Sequence, residues 1–294
     1  SDFDEEEVRR GISIYTSVLP VEYKNVKVNF LDTPGYNDFI GEVISALRVA
    51  DSAILLVDAV SGVEVGTEIA WDYCNRFSLP RFVVINKMDR DNANYAKALA
   101  AIEAFSDLRL VPLQLPWGEK AAFQGVIDLL TMKAYKGDGK TVVEIPGELR
   151  AAADEARVKL MEMAAEGDDT LMEKYFEAGT LSDDEILRGL RAGVISRSFA
   201  PVFVSAASAE IGIGPLLDAI VTLLPSPAEA PRATAQGKDG EEVLAAADSG
   251  PLAAYVWKTT ADPFVGKQTF FRVYSGMVSS DSRVWNQNKS IEER

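Results

Sequence analysis

The sequence predicts an α/β fold built around a parallel sheet, and three observations lead to this prediction. The segments 53–58 and 81–85 are short and continuously apolar, which is typical of strands buried on both faces. The segments 37–50 and 66–78 carry apolar residues at helical spacing and alternate with those strands. A further apolar segment at 201–205 continues the pattern toward the C-terminus. Alternating strands and helices indicate parallel strands joined by crossover helices.

The remaining elements frame this pattern. Two strands are predicted at 12–19 and 26–31, and a helix is predicted at 215–224, after the last apolar strand. Between the two halves the alternation stops, because 110–147 carries short strand-like pieces and turns. The segment 147–197 then contains two or three helices rich in Ala, Leu, Met and Glu. We therefore predict one α/β sheet that is interrupted by an α+β insert.

Both ends of the sequence depart from the alternation. Residues 2–7 form an acidic run that fits either a solvated loop or the start of a helix. Residues 225–250 are rich in Pro, Ala and Gly and indicate a linker, after which strands at 252–259, 269–274 and 283–285 resemble the opening of a barrel or sandwich. The chain begins with serine and ends after strand-like sequence, so we expect it to be a fragment.

The composition excludes several classes of function. A net charge of −15 disfavours a broad basic face for a polyanion and direct binding of DNA. The chain has no histidine, which excludes imidazole-based zinc sites and Ser-His or Cys-His triads. The single cysteine, Cys74, rules out an internal disulfide and fits a reducing cytoplasm. Apolar runs such as 53–57 are far too short to cross a membrane, and no secretory signal is visible.

Polar residues after the strand 81–85 form one half of a candidate nucleotide site. The segment 86–89 reads Asn-Lys-Met-Asp, and the carboxylate of Asp89 is suited to accept two N–H groups from the edge of guanine. Lys87 is suited to lay its aliphatic stem over the base plane, and Asn86 is suited to bridge loops. The alternative is an ordinary polar loop in which Asp89 caps a helix.

Three further segments have the composition of nucleotide-binding loops. Ser205 and Ala206 end an apolar strand, and their small side chains would let backbone amides approach a base. Asp32 also ends a strand and is followed by Gly35, a pairing that suits magnesium and phosphate. Ser13 offers a hydroxyl that could ligate magnesium. Each segment alone also fits a plain turn or loop, so the prediction depends on all of them together.

These segments, taken in order, resemble the nucleotide motifs of the elongation factor G family of translational GTPases. Residues 10–14 resemble its first switch and residues 32–35 its second switch. Residues 86–89 resemble its guanine-specificity motif, and residues 205–207 resemble its last nucleotide loop. The positions at strand ends agree with the rule that ligands bind beyond the carboxyl ends of parallel strands.

The resemblance implies a P-loop-type GTPase sheet with an α+β insert subdomain, followed by the start of a β-barrel domain. It divides the chain into a partial GTP-binding domain at 1–228, with the insert at about 106–198, a linker at 229–250 and a truncated barrel domain at 251–294. It also implies GTP or GDP and Mg²⁺ as cofactors and the ribosome as partner. The implied activity is cytoplasmic GTP hydrolysis coupled to translocation during protein synthesis.

The resemblance also implies roles for single residues. Ser13 and Asp32 are the implied magnesium ligands, Gly35 is the implied γ-phosphate contact, and Tyr36 stands where the family has a water-orienting histidine. For recognition of the base, the resemblance implies Asp89 as the main contact. The supporting residues that it implies are Asn86, Lys87, Ser205 and Ala206.

Three departures from the family pattern limit this transfer. The phosphate-cradling loop G-x-x-x-x-G-K-[ST] would precede the first switch, and the sequence lacks it there; residues 139–141 imitate its end, but Ala134 replaces the required first glycine. Tyr36 replaces the histidine, and a phenol is a poor base near neutral pH. Ser13 replaces the usual threonine and keeps the hydroxyl.

These departures keep alternative functions open. We expect a lowered hydrolysis rate in the intact protein, and weak or no nucleotide binding and no activity for this chain alone. One hypothesis is an active GTPase of the translocation type. The other is a ribosome-binding regulatory paralogue with slight turnover, and a release or ribosome-protection factor is a nearer variant of the first.

Overall fold

The computed structural model describes residues 2–230, 233–237, 240–262 and 265–294. Its helices are α1 (Glu5–Arg10), α2 (Ile40–Val49), α3 (Val65–Arg76), α4 (Tyr95–Phe105), α5 (Gly147–Glu166), α6 (Asp169–Ala178), α7 (Asp183–Ser196) and α8 (Ile213–Leu223). The strands of the first half are β1 (Ser17–Tyr23), β2 (Val26–Asp32), β3 (Ala53–Asp58), β4 (Arg81–Asn86), β5 (Arg109–Pro112), β6 (Gln114–Trp117), β7 (Gly125–Asp128), β8 (Lys133–Lys136) and β9 (Thr141–Val143). The later strands are β10 (Phe199–Val204), β11 (Thr234–Gln236), β12 (Glu241–Val243), β13 (Ala253–Asp262), β14 (Gly266–Ser275), β15 (Val284–Asn286) and β16 (Ile291–Glu293).

The central sheet is parallel and has the strand order β3-β4-β10-β5. Its inner strands are buried on both faces, because Phe82 and Val84 of β4 enter one hydrophobic core while Val83 and Ile85 enter the other. Every residue of β10 is buried. This two-sided burial explains why both strands are continuously apolar in sequence, and it confirms the predicted α/β fold class.

The strand β3 forms one edge of this sheet and, among the described strands, pairs with β4 alone. Leu56 in the middle of β3 is 64% exposed, although the strand has the composition of a buried one. The strands β1 and β2 form a separate antiparallel hairpin in which Ser17 lies opposite Asp32. The polar tip of this hairpin is fixed, since the Tyr23 hydroxyl donates to Asp218 of α8 at 2.7 Å.

The N-terminal segment corrects one detail of the sequence analysis and decides between two alternatives for another. The strand predicted at 12–19 begins only at Ser17, because the N–H groups of Ile14 and Tyr15 donate to the carboxylate of Glu7 and not to a strand. The acidic run at 2–7 contains the start of α1, for which the side chain of Asp4 is the N-cap.

The insert consists of an antiparallel sheet, in the order β6-β7-β8-β9, and the helices α5, α6 and α7. These helices bury a shared face that includes Leu160, Leu171 and Leu190. The strand β5 pairs in parallel with β10, so the central sheet extends to Pro112, past the insert boundary predicted at about residue 106.

The chain divides into two compact units between Pro225 and Ser226. In the described residues of the second unit there are three antiparallel strand pairs, formed by β11 with β12, β13 with β14, and β15 with β16. The first pair lies inside the predicted linker, of which residues 231, 232, 238 and 239 are outside the described residues. That these strands open a barrel domain stays a prediction. No helix in the described ranges has the length and apolar character that spanning a membrane requires.

Candidate functional site

The carboxyl end of β4 carries Asn86, whose side chain joins two loops. The Asn86 Oδ1 atom accepts hydrogen bonds from the Ser205 hydroxyl and from the Ala207 backbone N–H, each at 3.0 Å. Ser205 reaches this place because β10, which it follows, is the parallel neighbour of β4, and the carboxyl ends of the two strands meet at one edge. The structure thus brings together two residues that lie far apart in the sequence.

Backbone hydrogen bonds tie the same two loops more tightly. The N–H of Ser205 donates to the carbonyl of Ile85 at 2.9 Å, and the N–H of Met88 donates to the carbonyl of Ser205 at 3.1 Å. Ser205 and Ala206 are each only 1% exposed. The small side chains of both residues permit this close packing, since a larger group at either position would have to displace a neighbouring loop.

A third loop reaches the site through Asp58, the last residue of β3. Asp58 lies opposite Asn86 in the register of the parallel pair, and the N–H of Ala59 donates to the Asn86 carbonyl at 2.9 Å. The Lys87 Nζ atom donates to the Asp58 Oδ2 atom at 2.7 Å. The backbone of Lys87 has a φ of 63°, in the left-handed region that non-glycine residues seldom adopt.

The two oxygen atoms of the Asp58 carboxylate have different partners. Its Oδ1 atom accepts the N–H of Val60 at 2.8 Å and lies 3.4 Å from the N–H of Ser61, which closes the turn after β3. Its Oδ2 atom faces Lys87, and the guanidinium of Arg90 lies 3.6 Å away. Burial of the carboxyl opposes ionisation, but Lys87 and the two amides outweigh it, so the pKa of Asp58 is lowered.

Asp89 is exposed beside these loops. It lines a surface cavity of about 480 Å³, together with Val60 and residues 90–92. Within the described part of the chain its carboxylate accepts no hydrogen bond, so both oxygens are free to accept the paired N–H groups of a guanine edge. We call the loops at 58–61, 86–89 and 205–207 the base side of the site.

We call the segments 13–16 and 32–36 the phosphate side. Their residues differ from those of the base side in exposure and in contacts. Asp32 is partly buried at the end of β2, whereas Gly35 is exposed and Tyr36 is 56% exposed. The loop after Asp32 lies against the start of α3: a Cβ atom built on Gly66 would lie 3.3 Å from the Gly35 carbonyl oxygen. A side chain at position 66 would therefore require the facing loop to shift by a few tenths of an ångström.

The Ser13 side chain forms its hydrogen bond away from Asp32, the other residue predicted to bind magnesium. Its hydroxyl donates to the Asp2 carboxylate at 2.8 Å, and no contact joins it to Asp32 among the residues that the structure describes. The same ranges contain no group of three or more acidic or thiol side chains that could hold a metal ion. The residues predicted for magnesium therefore do not form a cation site by themselves.

Two residues of this region escape the sequence analysis. Asp58, like Asp32, is a carboxylate at the end of an apolar strand. It belongs to none of the segments that resemble nucleotide-binding motifs. Glu7 lies in the acidic run, yet it is only 1% exposed. Its carboxylate accepts the N–H groups of Phe3, Asp4, Ile14 and Tyr15 at 2.9–3.3 Å. These four bonds lower its pKa although burial opposes the shift.

Comparisons with known proteins agree with this geometry. A family model, described as the elongation factor Tu GTP binding domain, matches residues 1–226. Elongation factor G of Mycoplasma pneumoniae (strain ATCC 29342 / M129) is 42% identical over 299 aligned positions, which cover 100% of this chain and 44% of that protein. A crystal structure of a Thermus thermophilus protein matches with a TM-score of 0.84 and 32% identity, over 97% of this chain and 41% of that one. The chain thus spans less than half the length of either protein.

Proposed function

The chain belongs to the elongation factor Tu GTP-binding domain family, and from this premise we propose that it is the guanine-nucleotide-binding part of a translational GTPase of the elongation factor G type. The whole protein would hydrolyse GTP on the ribosome, in the cytoplasm, and couple the hydrolysis to translocation during protein synthesis. The observation that carries this proposal is the Asn86 side chain, which holds the 86–89 loop and the 205–207 loop together at one edge of the sheet.

The proposed roles on the base side are those that the family resemblance implies for these residues. Asp89 would select guanine, because its free carboxylate can accept two N–H groups that adenine does not offer. Asn86 and Ser205 would hold the pocket in shape, Ala206 would leave room for backbone amides at the base, and Lys87 would cover the base plane.

On the phosphate side, Asp32 and Ser13 would serve Mg²⁺ and Gly35 would contact the γ-phosphate. Bound magnesium would supply charge neutralisation between the phosphates. The hydroxyl of Ser13 would first have to leave Asp2, to which it donates at 2.8 Å. Tyr36 would donate a hydrogen bond to water without acting as an efficient base.

We further propose that this chain alone binds nucleotide weakly. Its 294 residues contain no G-x-x-x-x-G-K-[ST] sequence, so the backbone N–H groups that this loop offers to phosphates are missing from it. Residues 139–141 do not replace the loop, because Gly139 lies in the turn between β8 and β9, where its N–H donates to the carbonyl of Lys136 at 3.2 Å.

Calorimetric titration of the chain with GDP and ADP tests the base-side assignment. We expect millimolar-range binding of GDP, a preference of about tenfold or more over ADP, and loss of this preference in Asp89→Ala. Asp72→Asn, which removes an exposed carboxylate on α3, is the charge-matched control. Equal affinity for GDP and ADP in the wild-type chain would refute guanine selection, and tight GTP binding would refute the proposed weakness.

A second candidate function, a ribosome-binding regulatory paralogue with slight turnover, is favoured by Tyr36. This residue is exposed at the position of the family's water-orienting histidine. Multiple-turnover hydrolysis by the intact protein, with and without ribosomes, separates the two functions. If the phenol limits the reaction, Tyr36→His should raise the ribosome-stimulated rate; an unchanged or lower rate would contradict that role.

A further inference from the structure

The carboxylate of Asp58 connects two loops that the motifs of the sequence do not connect. One oxygen is bound to backbone amides of its own turn, and the other accepts from the Lys87 ammonium at 2.7 Å. The Asp58 side chain is only 17% exposed, whereas that of Lys87 is 43% exposed. Asp58 is therefore the fixed residue of the pair, and it orders the side chain of Lys87.

Both ends of the Lys87 side chain are restrained. At the backbone end, two hydrogen bonds hold the peptide that follows Lys87, because the Lys87 carbonyl accepts the N–H of Arg90 at 3.2 Å and the N–H of Met88 donates to the carbonyl of Ser205 at 3.1 Å. At the other end, the ammonium is held by Asp58. A flexible four-carbon stem whose two ends are fixed loses most of its rotamer freedom before any ligand arrives.

We propose that Asp58 is a positioning residue for base recognition, which presets the Lys87 stem as one wall of the base pocket. The proposal rests on the proposed function, since it assigns this stem to a guanine base. It differs from an ordinary surface ion pair in its consequence: loss of the Asp58 charge should weaken binding of every purine nucleotide without altering the discrimination that Asp89 provides.

The variant Asp58→Asn isolates this role. An asparagine keeps an oxygen for the N–H groups of Val60 and Ser61 but removes the negative charge that faces Lys87. Asp72→Asn, with the same change of charge at an exposed site, is the matched control.

Two measurements on the 294-residue chain test the proposal. The first is ¹⁵N NMR of the lysine ammonium groups without nucleotide, with Lys87→Met to identify the signal of Lys87. We expect a resolved Lys87 signal in the wild type and in Asp72→Asn, and its loss by fast exchange with water in Asp58→Asn. The second is titration with GDP and with IDP, which lacks the exocyclic amino group of guanine. We expect both dissociation constants to rise about threefold to fivefold in Asp58→Asn, with the GDP-to-IDP ratio unchanged.

The outcomes separate this inference from the function on which it rests. A Lys87 signal that persists in Asp58→Asn overturns the proposal, and so does loss of the signal with unchanged GDP affinity. A changed GDP-to-IDP ratio would make Asp58 part of edge recognition, which also overturns it. If the wild-type chain shows no preference for GDP over ADP, the proposed function fails and the role in base recognition fails with it. In that case the NMR measurement still decides whether Asp58 orders Lys87.

Discussion

The base side and the phosphate side of the candidate site differ in how their residues are held. On the base side, three loops follow the adjacent parallel strands β3, β4 and β10, and hydrogen bonds that the Asp58 and Asn86 side chains accept connect them. On the phosphate side, Asp32 ends a separate hairpin and Ser13 lies in the segment before it. Residues that follow neighbouring strands of one sheet are assembled by the sheet itself, whereas residues from separate elements need further contacts to converge.

The strongest test of this difference is to remove the Asn86 side chain, which connects two loops on the base side. Asn86→Ala leaves the buried Ser205 hydroxyl and the Ala207 N–H without the acceptor that both use. An unsatisfied polar group costs about 1–3 kcal/mol, so we expect the free energy of unfolding to fall by about 2 kcal/mol in urea denaturation.

The matched variant on the phosphate side is Ser13→Ala. It removes a hydroxyl whose hydrogen bond to Asp2 is exposed to solvent. We expect its free energy of unfolding to stay within about 0.5 kcal/mol of the wild type. Similar losses in Asn86→Ala and Ser13→Ala would show that the two sides are equally assembled and would refute the comparison.

On the phosphate side, the Glu7 carboxylate holds the backbone of residues 14 and 15, and Glu7→Gln tests this role. A glutamine has one acceptor oxygen and no charge, so it cannot satisfy the four amides that the Glu7 carboxylate accepts. We expect amide exchange at Ile14 and Tyr15 to accelerate about tenfold, which corresponds to a local loss of about 1.4 kcal/mol.

Glu6→Gln is the control for this measurement, because Glu6 belongs to the same helix but pairs with the exposed Arg9 and Arg10. Cleavage by trypsin after Arg10 gives a second readout, and it should speed up in Glu7→Gln alone. Equal exchange at Ile14 in the two variants would mean that Glu7 does not order the segment.

Most of the base side could be predicted from the sequence, for a physical reason. Continuously apolar segments identify parallel strands, and the polar residues that follow neighbouring strands must then meet at one edge. This reasoning places Asn86 and Ser205 on the same edge. Asp58 follows an equally clear strand, but its partner Lys87 depends on a left-handed backbone conformation that no composition predicts.

The phosphate side could not be predicted to the same extent. The prediction of a strand at 12–19 relied on β-branched and apolar residues, but Glu7 competes for the backbone N–H groups of 14 and 15. Burial of a glutamate within an acidic run results from the chain folding back on α1, a tertiary effect that overrides local pattern. The helix α4 is not among the predicted elements, although its alanine-rich sequence and its N-cap Asn94 both favour a helix.

A smaller effect on the base side concerns pH. The folded-state pKa of Asp58 is lowered, so its contribution to stability is fully present above its ordinary value of about 3.9 and is lost as pH falls through the folded-state pKa. We expect Asp58→Asn to lower the free energy of unfolding by up to about 1 kcal/mol at pH 7, with the difference from wild type shrinking as the pH falls below about 4. Urea denaturation between pH 7 and pH 3 measures this difference, and a difference that stays constant over this range would contradict the expectation.

The smallest expected effect is that of Tyr36→His on the chain itself. Tyr36 is 56% exposed, and the 3₁₀ helix that follows receives no hydrogen bond from its side chain. Its replacement should therefore change the free energy of unfolding by less than about 0.5 kcal/mol, as urea denaturation can measure. If the substitution is neutral for folding, a change in the hydrolysis rate of the intact protein can be attributed to the side chain at position 36 itself. A loss of about 1 kcal/mol or more would instead show that Tyr36 helps to order the phosphate side, and the separation between the two sides would need revision.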